Sequence, residues 1–375
     1  MAGKAGRVLF LEPFFGGSHR DFAEGLLAHS RHSIDLRTLP ARFWKWRMRG
    51  AALHFARAVP DPASYDALLV TDLLSLADLK ALWAGDCPPA LAYFHENQLT
   101  YPLAPGEKPD LQYGFTDITT CLAADLVRFN SRTHLDAFLG SLPRFLKNMP
   151  EYRPSWVVGA IREKSAVLYP GCRFNPGVEP DLPHPGEAPL VVWNHRWEFD
   201  KNPELFFRVL ERAAAGGAGF RLALLGESFQ TLPRAFLRAR ERLGDRILRY
   251  GYVESREEYC RWLRRGAVVV STADQENFGI SVVEAVAYGC APLLPRRLSY
   301  PELIPRELHR FFLYRDEEEL LEKLLVLLRE LPRPGNRWTA RIAAASRAMG
   351  RFSWPLRVEE FDRELERLCE SRAHR

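Results

Sequence analysis

Glu276 and Glu284 flank a Phe278-Gly279-Ile280 turn in the stretch STADQENFGISVVEAVAYGC, residues 271–290. A β-branched run, Ala267–Val270, precedes it, and apolar residues at helical spacing follow from Ile280 to Tyr288, which reads as strand, loop, helix. In an open α/β sheet such a loop lies outside the carboxyl end of a strand, where ligands bind. The backbone N–H groups of Phe278, Gly279 and Ile280 at the helix start suit an anion, and Gly279 lets it come close. Glu284, further along the helix, is then placed to accept hydrogen bonds from a ribose, while Glu276 stays in the loop near the reacting group.

Four other groupings could carry chemistry. Arg196 and Lys201 come off the end of another strand in WNHRWEFDKNP, residues 193–203, as fixed cations suited to a phosphate that gains charge on leaving. His95 opens a polar run, His95-Glu96-Asn97-Gln98, at a strand end, an odd composition unless that end lines a cleft. Gly16-Gly17, with Ser18 as an N-cap, is either a simple tight turn or a place where backbone approaches a substrate. The G-x-G-x-x-G fingerprint is missing, which speaks against nicotinamide or flavin. Finally, Leu39–Arg49 interleaves four cations with three aromatics. Lys45, Trp46, Arg47 and Arg49 there could hold RNA phosphates and unstacked bases; the alternative is an amphipathic helix with its aromatics in the core. With no Asp-x-Asp and no His/Cys cluster, no metal is expected.

The elements that must position these residues alternate. Val8–Leu11, Ala67–Val70, Ala90–Phe94, Leu126–Phe129 and Ala166–Leu168 read as strands in the first half. Leu190–Trp193, Leu222–Leu225, Ile247–Tyr250, Ala267–Val270 and Ala291–Leu294 do so in the second, with helices over Pro203–Ala215, Pro233–Leu243 and Arg256–Arg264. That alternation predicts an α/β protein with parallel sheets and right-handed crossovers. Asn175–Pro189, dense in Pro and Gly, reads as the linker between a domain over 1–174 and one over 190–350, with a last helix within 351–375.

At 375 residues, with 47% hydrophobic and 26% charged, the chain has room for two full cores, which excludes disorder. No run of 18 apolar residues marks a membrane span and the N-terminus is not a signal peptide, so a soluble cytoplasmic protein is expected. A net charge of +5 permits a polyanionic partner without requiring one. The six dispersed cysteines suggest buried free thiols.

The Glu276/Glu284 spacing resembles the E-x7-E element of retaining GT-B glycosyltransferases. The strings LEPFFGGSHRDF, TLPARFWKWRMRGAALHFA, YFHENQLTYP, LQYGFTDITTCLAADLVRFNS, VVWNHRWEFDKNPELFF and ENFGISVVEAVAYGCAPLLP together resemble the tRNA-queuosine mannosyltransferases. That resemblance implies a GT-B fold, two Rossmann-like domains facing a cleft, and a last helix that crosses back to the first domain. It implies transfer of mannose from GDP-mannose to queuosine in the tRNA anticodon by front-face displacement with retention, without metal or cofactor. Arg196 and Lys201 would neutralise the donor diphosphate, and His95 would lie against the donor sugar with its backbone carbonyl facing the anomeric carbon. Gly16, Gly17, Phe278, Gly279, Ile280 and Glu284 would bind the rest of the donor. Tyr169–Phe174 stands where many relatives carry Asn-Gly-Val-Asp, so contacts there do not carry over. The rival readings are a related transferase acting on a lipid, glycan or small molecule, and a non-catalytic tRNA-binding protein. Glu276, Glu284, Arg196 and Lys201 together speak against the second.

Overall fold

Short apolar runs buried on both faces, the pattern of parallel strands, form the inner strands of two sheets. The first contains β1 (Arg7–Phe15), β2 (Ser33–Pro40), β3 (Ala67–Thr71), β4 (Ala90–Phe94), β5 (Leu126–Phe129) and β6 (Ser165–Val167). The second contains β7 (Leu190–Trp193), β8 (Arg221–Leu224), β9 (Ile247–Tyr250), β10 (Val268–Val270), β11 (Ala291–Pro295) and β12 (Leu313–Tyr314). They belong to a computed structural model that describes residues 5–85, 87–103, 106–174, 187–227 and 233–373. All strand pairs are parallel, in the orders β2-β1-β3-β4-β5-β6 and β12-β11-β10-β7-β8-β9. Each order reverses direction once, between β1 and β3 and between β7 and β10. Those two switch points are where a doubly wound sheet opens a crevice at its carboxyl edge.

The chain divides into two units, Met1–Arg173 with Trp354–Arg375, and Phe174–Ser353. In the first, α1 (Gly17–His29) covers one face of the sheet, and α2 (Trp44–Ala58), α3 (Leu76–Leu82), α4 (Leu111–Ala123), α5 (Arg132–Leu146) and α6 (Trp156–Lys164) lie over the other. The α1 face is completed by the final helix, Trp354–Ala373, whose Trp354, Val358, Phe361, Leu365 and Leu368 pack on Phe10, Phe22, Leu69 and Tyr93. Two glycines admit the Trp354 indole. A Cβ on Gly25 would lie 1.9 Å from its Nε1, and one on Gly171 2.1 Å from its Cδ2. Further along, Asp362 accepts from Ser30 Oγ at 2.5 Å, and Glu364 pairs with the buried Arg128 at 2.8 Å. In the second unit α7 (Pro203–Ala215), α8 (Arg234–Leu243), α9 (Arg256–Arg265) and α10 (Ile280–Ala287) connect the strands.

The sequence reading omits β2 and β12. β2 is an edge strand of mixed exposure, SIDLRTLP, without a continuous apolar run, and β12 has two residues. Most of the expected linker, residues 175–186 of Asn175–Pro189, lies outside the described residues. Cys121, Cys172 and Cys290 are buried as expected, but Cys87, Cys260 and Cys369 are only partly so; all six are free. Among the described residues no helix is long and apolar enough to cross a membrane.

Candidate active site

In the second unit the loops after β7 and β10, adjacent strands at the switch point, are sewn together by polar contacts. Thr272 Oγ1 donates to the Lys201 carbonyl at 3.0 Å and Asp274 N–H to the Asp200 carbonyl at 2.8 Å. Lys201 closes the seam. Its buried ammonium donates to the Gln275 carbonyl at 2.7 Å and lies 3.1 Å from Asp200 Oδ2 and 3.4 Å from Glu276 Oε2. Burial alone would lower the Lys201 pKa, but the charges of Glu276 and Asp200 outweigh it and raise the value. Burial likewise works to raise the Glu276 carboxyl, and the charges of Lys201 and then Arg196 overcome it, so Glu276 is held below the usual carboxylate range as an anion. Arg196 is less enclosed, its side chain 44% exposed and 3.4 Å from Glu198. The expected grouping of Arg196, Lys201 and Glu276 is therefore brought together in one place: a partly buried anion, a buried cation and a second cation open to solvent.

Glu284 is buried on α10, but not bare. Its Oε1 pairs with Arg256 and its Oε2 accepts from Tyr259 Oη at 3.1 Å, both partners standing on α9. Tyr259 in turn accepts from Asn194 Nδ2 at 2.9 Å, which also donates to the Ser281 carbonyl at 2.7 Å. His195 comes within 3.3 Å of Ser281 Oγ; burial and then the Lys201 charge push its pKa down to about 4, so the ring is neutral. The sequence reading assigned no role to Arg256, Tyr259, Asn194 or His195. Gly279 precedes α10 with φ +101°, a left-handed conformation that favours glycine. Phe278 offers backbone only, because its side chain is 2% exposed and meets Phe352 edge-on at 5.2 Å. Ser299 Oγ donates to the Phe278 carbonyl at 2.8 Å and fixes the turn. Ile280 opens the helix, and no side chain caps it.

In the first unit polar groups at the ends of β1, β3, β4 and β5 converge on His95. Its N–H donates to Asp72 Oδ1 at 2.9 Å, and its carbonyl accepts from Asn130 Nδ2 at 2.8 Å. Asn130 Oδ1 in turn meets His134 Nδ1 at 2.8 Å; burial pulls the His134 pKa down to about 3, so this ring is neutral and donates. The His95 ring lies 4.2 Å from that of His19 and 4.9 Å from those of Phe22 and Tyr93. Burial also lowers the His95 pKa well below its ordinary value. His19 is the counter-case. Burial would lower its pKa, but the charge and hydrogen bond of Glu12, at 3.1 Å, then Asp72 and Glu96, raise it from 6.5 to about 9. Donor atoms of Glu12, His19 and His95 lie within 4.8 Å of one another, near enough to share a cation, although the first two already form an ion pair. Glu12, His19, Asp72, Asn130 and His134 were not read as site residues. The signal was present in Glu12, a carboxylate inside the apolar run VLFLEPFF.

A raised histidine pKa has a sign. The His19 imidazolium stabilises the folded state in full below about 6.5, and that contribution is lost as pH rises through about 9. The expected loss is about 3 kcal/mol. Urea unfolding on either side of that window should show it in the wild type and show it much reduced in His19→Gln; equal pH dependence in the two proteins would refute it.

The glycines of the β1–α1 turn have structural reasons of their own. A Cβ on Gly16 would lie 2.4 Å from Ala41 Cβ, and Gly17 has φ +51°. On α2, Lys45 pairs with Glu107 at 3.0 Å, Arg47 donates to the Pro40 carbonyl at 3.2 Å, and Arg49 lies over the Tyr113 ring at 5.4 Å. Trp46 is 75% exposed and Phe43 69%, and the helix buries Met48, Ala51, Ala52 and Phe55 instead. The amphipathic alternative put the aromatics in the core, and those two are outside it.

Residues 7–172 match the family model described as tRNA-queuosine alpha-mannosyltransferase N-terminal, and residues 188–330 match that for glycosyl transferases group 1. The tRNA-queuosine alpha-mannosyltransferase of Drosophila melanogaster is 37% identical over 328 residues, 84% of this chain and 85% of its own length. Among solved structures, sucrose-phosphate synthase from Thermosynechococcus elongatus superposes with a TM-score of 0.75 at 16% identity, covering 97% of this chain and 100% of that one. Anabaena HepE in complex with UDP gives 0.67 at 17% identity, covering 96% and 100%. At such identities these neighbours establish the fold alone, which is GT-B.

Proposed function

Since the chain belongs to the tRNA-queuosine alpha-mannosyltransferase family and is a glycosyltransferase, we propose that it transfers mannose from GDP-mannose to queuosine in the tRNA anticodon, with retention, in the cytoplasm. Kinship across both units carries the acceptor and the sugar. The observation that carries the transfer chemistry is the Arg196, Lys201 and Glu276 grouping at the β7/β10 switch point. When the bond between the anomeric carbon and the phosphate oxygen breaks, the electron pair stays on the diphosphate. Arg196 and Lys201 take up that charge in place of a metal. A queuosine hydroxyl forms the new bond on the same face and passes its proton to the departing phosphate oxygen.

Glu276 stands as a fixed anion beside the sugar. Glu284, with Arg256 and Tyr259 orienting its carboxylate, receives the ribose as a hydrogen-bond acceptor. Backbone at Phe278, Gly279 and Ile280 meets the phosphates, and backbone at Gly16 and Gly17 meets the donor. His95, neutral and held at both its N–H and its carbonyl, faces the mannose. Lys45, Trp46, Arg47 and Arg49 grip the tRNA, a role that the exposure of Trp46 supports.

The test is direct. Purified chain, GDP-mannose and queuosine-containing tRNA should give tRNA heavier by one hexosyl unit, α-linked, and Glu276→Gln should lose most of that product. Transfer to a glycan or small alcohol with none to tRNA would overturn the acceptor; transfer from a uridine nucleotide-sugar alone would overturn the donor.

A further inference from the structure

The connection between α5 and α6, residues 147–155, carries features that no role above absorbs. Tyr152 is 87% exposed and Trp156, the first residue of α6, 64%. Arg144, Lys147 and Arg153 around them are exposed as well, against the single acid Glu151. The connection is well defined: Arg153 Nε donates to the Met149 carbonyl at 2.8 Å, and Ser155 N–H to the Arg153 carbonyl at 2.9 Å. Tyr152 itself has φ +49°, a left-handed backbone that a bulky residue rarely adopts. A fixed turn thus holds a large ring in water at some cost in strain, the kind of feature that accompanies binding.

The location adds to this. Phe145, at the end of α5, packs against Phe115 of α4 at 4.9 Å, and Tyr113 of α4 meets Trp44 of α2 at 5.2 Å. The exposed aromatics of residues 43–46 and of residues 152–156 are therefore carried by α2 and by the α5–α6 segment, which pack on the same face of the first sheet. Rings interleaved with unpaired-sign cations suit a polyanion whose bases can unstack. A purely apolar partner would force those cations out of water without charges to meet them.

We propose that the α5–α6 connection is a second contact for the RNA acceptor, with Tyr152 and Trp156 stacking on unpaired bases and Lys147 and Arg153 meeting phosphates. This rests on tRNA being the acceptor.

The experiment measures tRNA binding by the full chain at two salt concentrations, for the wild type and for the pairs Tyr152→Ala/Trp156→Ala and Lys147→Ala/Arg153→Ala. The aromatic pair should lose about tenfold in affinity with its salt dependence intact. The cation pair should lose affinity and flatten the log–log salt slope by about 1 to 2. Thermal midpoints should stay near that of the wild type in the aromatic pair, whose side chains lie at the surface, and fall only slightly in the cation pair, which loses the Arg153–Met149 hydrogen bond. Wild-type affinity and slope in both variants, while the wild type still binds and modifies tRNA, would overturn this surface and leave the functional reading standing. Failure of the wild type to bind tRNA at all would overturn the functional reading, and the surface with it. If sedimentation found a wild-type dimer that the aromatic pair converts to monomer at unchanged tRNA affinity, the occupant would be a second copy of the chain and the proposal would be overturned.

Discussion

Lys201→Ala should lower kcat for mannosyl transfer about 10²–10³-fold, the usual loss when one preorganised charge at a developing anion is removed. The same change should unsettle the second unit. Asp200 and Glu276 lose the cation between them and Gln275 loses its donor, and uncovering a buried charge costs about 3–5 kcal/mol. Turnover must therefore be read beside thermal stability, and Arg196→Ala is the companion. Arg196 is half-exposed and near Glu198, so its removal should spare stability and lower kcat more than it raises the KM for donor. If Arg196→Ala raised only KM, the cations would bind the ground state and the charge argument would fail. If Lys201→Ala kept wild-type kcat in a folded protein, the seam would be structural only.

Trp354→Ala should cost the first unit about 3–5 kcal/mol, the range for deleting a buried tryptophan. The indole is 1% exposed and its Nε1 has no hydrogen-bond partner among the described residues, so packing alone holds it. A double-mutant cycle makes the claim specific. Gly25→Ala places a methyl 1.9 Å from the indole nitrogen and should cost about 1–3 kcal/mol in the wild type by overpacking. In the Trp354→Ala background the slot is vacant and the cost should nearly vanish, a coupling readable by urea unfolding. Additive costs would mean that Gly25 is needed for its backbone and not for the tryptophan.

The strand–loop–helix that carries Glu276 and Glu284, and the strand end that carries Arg196 and Lys201, were legible in the sequence because residue type, spacing and a flanking strand act over short stretches of chain. The inner strands were legible for a related reason, since burial on both faces leaves a continuous apolar run such as Ala90–Phe94. What escaped depends on distant partners. Arg256 and Tyr259 sit in REEYCRWLRR, which reads as a solvated amphipathic helix, and only the fold brings them to Glu284 from 28 and 25 residues away. His19 carries no signal of its own in the sequence, since its role depends on Glu12, which β1 brings to 3.1 Å. β2 hid because an edge strand with one solvated side is as polar as a loop.

The slot for Trp354 also sets an order of events at the ribosome. The first sheet emerges early with α1, yet one of its faces stays partly uncovered until the last twenty residues of the final helix have been synthesised. By then the whole second unit has been made and is free to fold by itself. The first unit is thus completed only after the second has been made, and in the interval Phe10, Phe22, Leu69 and Tyr93 form an unfinished apolar surface on the nascent chain. A ribosome that stalls or terminates before Trp354 releases a product with that surface open, a substrate for chaperones and proteases and not a shortened enzyme.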